Sequence, residues 1–283
     1  GDVPVTTELA ELLGGRLDAL DADQTRLLQM LAVSHPQAVS VMAELGGTEA
    51  LERLERCGLI SISEENASAS VDFTHALIGE AVRQRAGQLA TRRLSEELLA
   101  VLSNRPPTMP AERIRRAELA LAARDTGDTD LLMQAAADAI ALTSLETAER
   151  FARAAEARGG GFRASELVAR SLLLQGRNRE ADAVLDGFDP ASLTEFELAQ
   201  WGITRVANLR WSIGDTEAAE RILAMLQQRL THPMLRLVLD GLRAALLVLD
   251  GHLEQAAAVA DQVLAAPNGP AVAVGWAVFG GVT

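Results

Sequence analysis

The apolar positions of this chain recur at two different periods, and the order of those periods predicts its architecture. From residue 9 to residue 20, leucines fall at helical spacing in a short amphipathic segment. "LDADQTRLLQMLAVS" then predicts a helix capped by Asp21, with Leu27, Leu28 and Leu31 on one face. "PQAVSVMAELGG" predicts a second helix, opened by Pro36 and stopped by Gly46 and Gly47. "TEALERLERCGLI" predicts a third, capped by Thr48, with Leu51, Leu54 and Cys57 turned inward and Gly58 ending it. There the period drops to two. "LISISEENASASVDFTH" alternates, pauses at the polar "EENASAS" and alternates again, which predicts a hairpin.

After the hairpin the helical period returns and stays. "HALIGEAVRQRAGQ" and "LATRRLSEELLAVLS" predict two helices, and "NRPPTMP", residues 104–110, holds three prolines and predicts a linker. No strand pattern follows. Three later turns align: "GRNREADAVLDGF", "GDTEAAERILAML" and "GHLEQAAAVADQVL" start at Gly176, Gly214 and Gly251, 38 and 37 residues apart. An alanine stands five residues after each glycine (Ala181, Ala219, Ala256) and another seven before it (Ala169, Ala207, Ala244). Small residues there let paired helices approach, while Val184, Ile222 and Val259 supply apolar contact. A helix–turn–helix with a period in the thirties is a solenoid signature. "TDLLMQAAADAIAL" and "LETAERFARAAEA" are expected to form earlier turns of the same array. The predicted fold class is therefore mainly α: a winged-helix domain with trailing helices over 1–104, followed over 111–283 by a degenerate, tetratricopeptide-like, right-handed α-solenoid.

Composition narrows the chemistry. All 26 basic residues are Arg, so neither a P-loop, whose Lys reaches the nucleotide phosphates, nor a Schiff-base nucleophile is available. The net charge of −13 and a pI near 4.8 disfavour binding to nucleic acid or an anionic membrane. The third predicted helix carries Glu49, Glu52 and Glu55 against Arg53 and Arg56, which argues against direct DNA binding by this segment. No apolar run reaches 18 residues, and the acidic opening "GDVPVTTELAELL" does not read as a signal peptide. A lone Cys57, expected as buried filler, suits a reducing cytoplasm. Gly1 and the apolar closing run "AVAVGWAVFGGVT" are read as the ends of a piece from a longer protein.

Candidate chemistry is sparse. The four histidines are scattered, none paired at i, i+4, and no Cys–His cluster suggests zinc. "GGGF" at 159–162 reads as a helix-to-helix linker, and Arg113, Arg115 and Arg116 read as a solvated basic face. One stripe stands out: Trp201, Thr204, Asn208 and Trp211 fall at i, i+3, i+7 and i+10 on the helix before Gly214, with Ile203, Val206 and Ala207 facing the core. It is either a ligand or partner groove, combining apolar area with hydrogen bonding, or packing between repeats. No catalytic or metal site is expected.

"LDADQTRLLQMLAV", "GTEALERLERCGLIS" and "VDFTHALIGEAVRQ" together resemble the middle of the large ATP-binding LuxR-family transcriptional regulators, the MalT-like, STAND-type ATPases abundant in actinobacteria. There the last stretch commonly reads Phe-x-His-Pro-Leu-x-Arg-Glu-Ala-Val. Phe73, His75, Leu77, Glu80, Ala81 and Val82 match, while Ala76 replaces the Pro and Gly79 the Arg. The likeness spans roughly the first 105 residues, and the repeats match the family only in character. The resemblance implies a non-enzymatic regulatory segment, with ATP or ADP held by an upstream nucleotide-binding domain and a helix-turn-helix downstream. The partners it implies are that nucleotide-binding domain and a small-molecule inducer or protein. Related plant immune receptors place a Met-His-Asp motif at a comparable position. By that likeness His75 would contact the nucleotide β-phosphate, the alternative being a histidine that simply caps the junction. The other functional expectation is a tetratricopeptide-type protein-binding scaffold with no nucleotide link.

Overall fold

Asp21 caps its helix as its position predicts. Its carboxylate accepts the Gln24 N–H at 2.8 Å, while Gln24 Oε1 accepts the Asp21 N–H at 3.1 Å. The structure, a computed structural model, describes residues 7–65, 68–124 and 128–281. Those residues form sixteen α-helices and one small three-stranded sheet, a mainly helical protein. They divide into two units, residues 1–143 and 144–283.

The first unit runs α1 (Thr7–Asp18), α2 (Ala22–Val33), β1 (Gln37–Ala38), α3 (Val39–Gly46), α4 (Thr48–Arg56), β2 (Ile60–Glu65) and β3 (Ser68–Phe73). It continues with α5 (Ala76–Arg85), α6 (Gln88–Leu102), α7 (Pro110–Ala122) and α8 (Thr129–Ala141). The predicted hairpin is antiparallel, with Ile60 opposite Phe73 and Ile62 opposite Val71. Alternation sends Ile60, Val71 and Phe73 into a core shared with Leu27, Leu28 and Leu31 of α2, Leu51 and Leu54 of α4, and Ile78 and Val82 of α5.

Four local expectations need correction. Pro36 does not open a helix: Gln37 and Ala38 extend and pair with Val71 and Ser70, so the sheet order is β1-β3-β2. A two-residue strand is too short to show a period. The "EENASAS" pause is mostly strand, with Glu64 opposite Ala69 and Glu65 opposite Ser68, because ladder bonds need no apolar side chains; Asn66 and Ala67 lie outside the described residues. Thr48 is the first residue of α4 and caps nothing; Gly47, at φ 81°, occupies the cap. Cys57 is exposed, because it follows the last turn of α4 where the chain leaves the core.

Asn104–Pro110 joins α6 to α7 inside the first unit, where Leu98 of α6, Leu119 of α7 and Val41 of α3 share a second core. The arginines of α7 are not a uniform solvated face. Arg113 grips Asp138 of α8 through Nε and Nη2, at 2.5 and 2.9 Å. The Arg116 guanidinium is partly buried and donates to the Arg105 carbonyl.

The second unit comprises α9 (Leu145–Ala157), α10 (Gly161–Leu174), α11 (Asn178–Asp186), α12 (Glu195–Asn208), α13 (Thr216–Arg229), α14 (Pro233–Leu249), α15 (Leu253–Leu264) and α16 (Ala271–Gly281). The aligned glycines Gly176, Gly214 and Gly251 have φ of 76°, 85° and 77°, the left-handed conformation that ends one helix and turns into the next. The spaced alanines sit where helices meet: Ala169, Ala181, Ala219, Ala244 and Ala256 are all buried, and Ala207 is half-buried. Gly159–Gly161 link α9 to α10. No described helix is long and apolar enough to cross a membrane.

Candidate functional site

The predicted residues fall in two places, one in each unit. In the first, β3 delivers the chain to His75, whose extended backbone (φ −142°, ψ 139°) occupies the N-cap of α5. Its carbonyl accepts the Ile78 N–H at 3.0 Å, but its imidazole caps nothing. The side chain is exposed and makes no hydrogen bond or ion pair among the described residues. Both ring nitrogens remain free to bind something else.

Phe73, two residues earlier, points the other way, into the core. A Cβ on Gly79 would lie 2.9 Å from the Phe73 ring, so a glycine at this position is what lets the ring in. The ring also meets His35 edge to face, with centroids 5.4 Å apart.

His35 anchors a polar chain that sequence reasoning missed. Arg83 Nη1 donates to His35 Nε2 at 3.3 Å, and an arginine can only donate, so Nε2 accepts and the imidazole proton sits on Nδ1. That Nδ1–H donates to Asp72 Oδ1 at 3.0 Å, and the Phe73 N–H donates to the same oxygen at 2.7 Å. Arg83 also holds Glu80 through Nε and Nη2, at 3.2 and 3.0 Å. The Arg83 hydrogen bonds, then that of Gln84, keep the Glu80 carboxyl below its usual value. The chain ties α2's exit, β3 and α5 together beside His75. Its members are 37 and 48 residues apart, and no local spacing announces them.

In the second unit the four-residue stripe does not form one open face. Trp201 is 3% exposed and donates from Nε1 to the Leu185 carbonyl at 2.7 Å. Asn208 is 5% exposed and donates from Nδ2 to the Asn178 carbonyl at 2.9 Å. The two bonds join positions seven apart on α12 to positions seven apart on α11 in reverse order, so the helices run antiparallel and are clamped at both ends. Arg205 lies between them on α12. Its guanidinium sits 5.1 Å over the Trp201 ring, Nε donates to Asp182 at 2.8 Å, and Nη2 reaches Asp186 at 2.8 Å. Thr204 is half-buried.

Trp211 leaves the stripe because the helix changes gauge. Leu209–Ile213 form a π turn, with the Gly214 N–H on the Leu209 carbonyl at 2.8 Å. A stripe computed at 3.6 residues per turn therefore fails beyond Asn208. Trp211 instead stacks on Trp276 of α16, 5.1 Å between centroids and 2° between planes. Trp201 and Asn208 are packing residues, with their polar atoms committed to a neighbouring helix, except Asn208 Oδ1, which is buried without a partner among the described residues.

Among the described residues no group of three or more His, Cys, Asp and Glu side chains is placed to hold a metal ion. No family model, curated protein or solved structure matches the chain.

Proposed function

We propose that this chain is the regulatory middle of a nucleotide-controlled transcription regulator of the LuxR-type, MalT-like class. Residues 1–104 act as a winged-helix lever, and 111–283 as a tetratricopeptide-like right-handed solenoid that receives an inducer or partner. Three features support the reading. The order α2–β1–α3–α4–β2–β3, with the first strand paired to the last, supports the winged-helix reading of the first unit. The repeated left-handed glycines and buried alanines of the second unit suit stacked helix pairs. The observation that carries the reading is His75, a fixed backbone with an exposed, uncommitted imidazole at the exit of the hairpin. An imidazole held beside the start of α5 can donate to a phosphate alongside the backbone N–H groups of the helix's first turn.

On this reading ADP, bound by a separate nucleotide-binding domain, holds the lever through His75. A signal bound at the repeats favours the released state only by differential affinity for the two arrangements. The coding sequence on either side of residues 1–283 is the first test: a Walker motif before and a helix-turn-helix after are expected. In the intact regulator, His75→Ala should lower the ADP that survives purification. Unchanged ADP content, or coding sequence without a nucleotide-binding domain, would leave the protein-binding scaffold as the better reading.

A further inference from the structure

A cavity of about 360 Å³ lies wholly within the first unit, where the N-terminal half of α7 and the Arg105–Thr108 connector face the β1 edge of the sheet. Its charge is unusual for this protein. Arg105, Arg115 and Arg116 line it against a single carboxylate, Glu112, although carboxylates outnumber arginines 39 to 26 over the chain.

Elsewhere in the same unit several arginines find carboxylates: Arg26 holds Glu97, Arg83 holds Glu80, Arg85 holds Asp18 and Arg113 holds Asp138. Arg105 does too, fixed by Glu44 at 2.7 Å and donating to Ser40 Oγ at 3.1 Å. Arg115 and Arg116 differ. Among the described residues neither has a carboxylate within ion-pair distance and Arg115 makes no hydrogen bond, although its charge acts on Glu112. Arg116 spends one donor on the Arg105 carbonyl. Burial draws its pKa down, only partly opposed by the charges of Glu112 and Asp128, the sign of a guanidinium short of a counter-charge. Glu112 supplies part of it at a distance, its charge acting on both Arg115 and Arg116. Its Oε2, however, is turned to the Thr108 and Met109 N–H groups at 2.8 and 3.3 Å, and it forms no ion pair with either arginine among the described residues.

Val41, Leu102 and Leu119 give the cavity apolar lining, and Ser70 also borders it. Two under-used guanidiniums beside apolar lining in a space of this size are a set of complementary halves. We infer that this cavity binds a small organic anion, its carboxylate or phosphate held by Arg115 and Arg116 and its apolar body lying against Val41, Leu102 and Leu119. The site rests on the first unit alone and does not depend on the proposed regulatory role. One wall is the β1–β3 edge, so an occupant touches the strand that leads to His75.

All three tryptophans lie in the second unit, so the binding assay must read backbone amides of the first. The whole chain, labelled for amide NMR, is titrated with phenyl phosphate, benzoate and the neutral benzyl alcohol. Saturable shifts at Ser40, Val41 and Ser70 are expected with at least one anion, and the tighter of the two identifies the head group. Arg115→Gln, which removes a guanidinium that makes no hydrogen bond or ion pair among the described residues, should weaken that anion about tenfold or more with little change in melting temperature. Arg179→Gln, on the surface of the second unit, should not. Equal binding of benzyl alcohol, an Arg115→Gln variant that binds as well as the parent, or no saturable shift from either anion at millimolar concentration would each overturn the assignment.

Discussion

His75, at the N-cap of α5, and Trp201, inside α12, are both rings with polar nitrogens, and the structure treats them in opposite ways. Trp201 is buried, its N–H given to Leu185 and its face covered by Arg205. His75 is exposed, with neither ring nitrogen bonded among the described residues. The first is consumed in joining α12 to α11; the second is held out with its backbone fixed. The lesson concerns what marks a functional residue. Helical spacing nominated Trp201 and a family resemblance nominated His75, but only unspent hydrogen-bonding capacity separates a side chain that builds the fold from one available to a partner.

That contrast can be broken by substitution, and the largest effect should come from its structural arm. Trp201→Ala removes a buried ring, a hydrogen bond and the seat of Arg205, and should cost about 3–5 kcal/mol in urea unfolding. The remaining tryptophans, Trp211 and Trp276, report the second unit. A loss below about 1 kcal/mol would mean that the ring is not a packing element.

Gly241→Ala tests the same tight packing one helix pair further on. A Cβ there would lie 2.6 Å from the Ala273 carbonyl oxygen of α16, which backbone cannot yield cheaply. A loss of about 1–3 kcal/mol is expected from the same fluorescence-detected titration.

Glu149 sharpens the comparison in a charged setting. Burial raises its pKa, but hydrogen bonds from Arg153 and Gln175 and the charges of Arg153 and Arg177 outweigh this and hold it below the ordinary 4.5. Arg153 Nε stands at 2.9 Å, Gln175 Nε2 at 3.1 Å and Arg177 Nη1 at 2.6 Å. A carboxyl depressed in the folded state binds fewer protons there than in the unfolded chain. Its contribution is complete above pH 4.5 and is lost as pH falls from there through the folded value. Glu149→Gln should lower neutral-pH stability by about 1–2 kcal/mol and flatten the acid limb of a stability–pH profile. A parallel acid limb in parent and variant would remove Glu149 from that role.

The smallest effect belongs to the functional arm. His75→Ala should change the stability of the first unit by no more than about 0.5 kcal/mol, measured by amide exchange in β3 and α5. A larger loss would show that the imidazole is structural after all, and the contrast with Trp201 would collapse.

How much of this the sequence announces depends on the range of each interaction. Asp21, Leu27 and Leu31 are legible because capping and helical faces are set within one or two turns. The glycine–alanine register of residues 169–256 is legible because the constraint is repeated. Gln37 and Ala38 leave no trace, since two residues cannot display a period and their partners, Val71 and Ser70, lie more than thirty residues away. The His35–Asp72–Arg83 chain is hidden for the same reason. Cys57 was misplaced by carrying α4's inward face one residue past its last turn. The stripe through Trp211 failed because it assumed a constant pitch across Leu209. Arg115 and Arg116 are plain in the sequence, but that neither forms an ion pair among the described residues, unlike Arg113, emerges only in three dimensions.

The π turn at Leu209–Ile213 also bears on how this stretch tolerates change in length. A π turn carries one residue more than the regular ladder needs. Removing a single codon there would restore an ordinary helix running into Gly214, whereas a deletion elsewhere in α12 would break the Trp201 and Asn208 clamps by rotating one against the other. Within α12 and its extension, Leu209–Ile213 is thus the segment where the chain can shorten by one residue while the registration between α11 and α12 survives. Indels among descendants of this sequence should therefore accumulate just before the Gly-Asp turn.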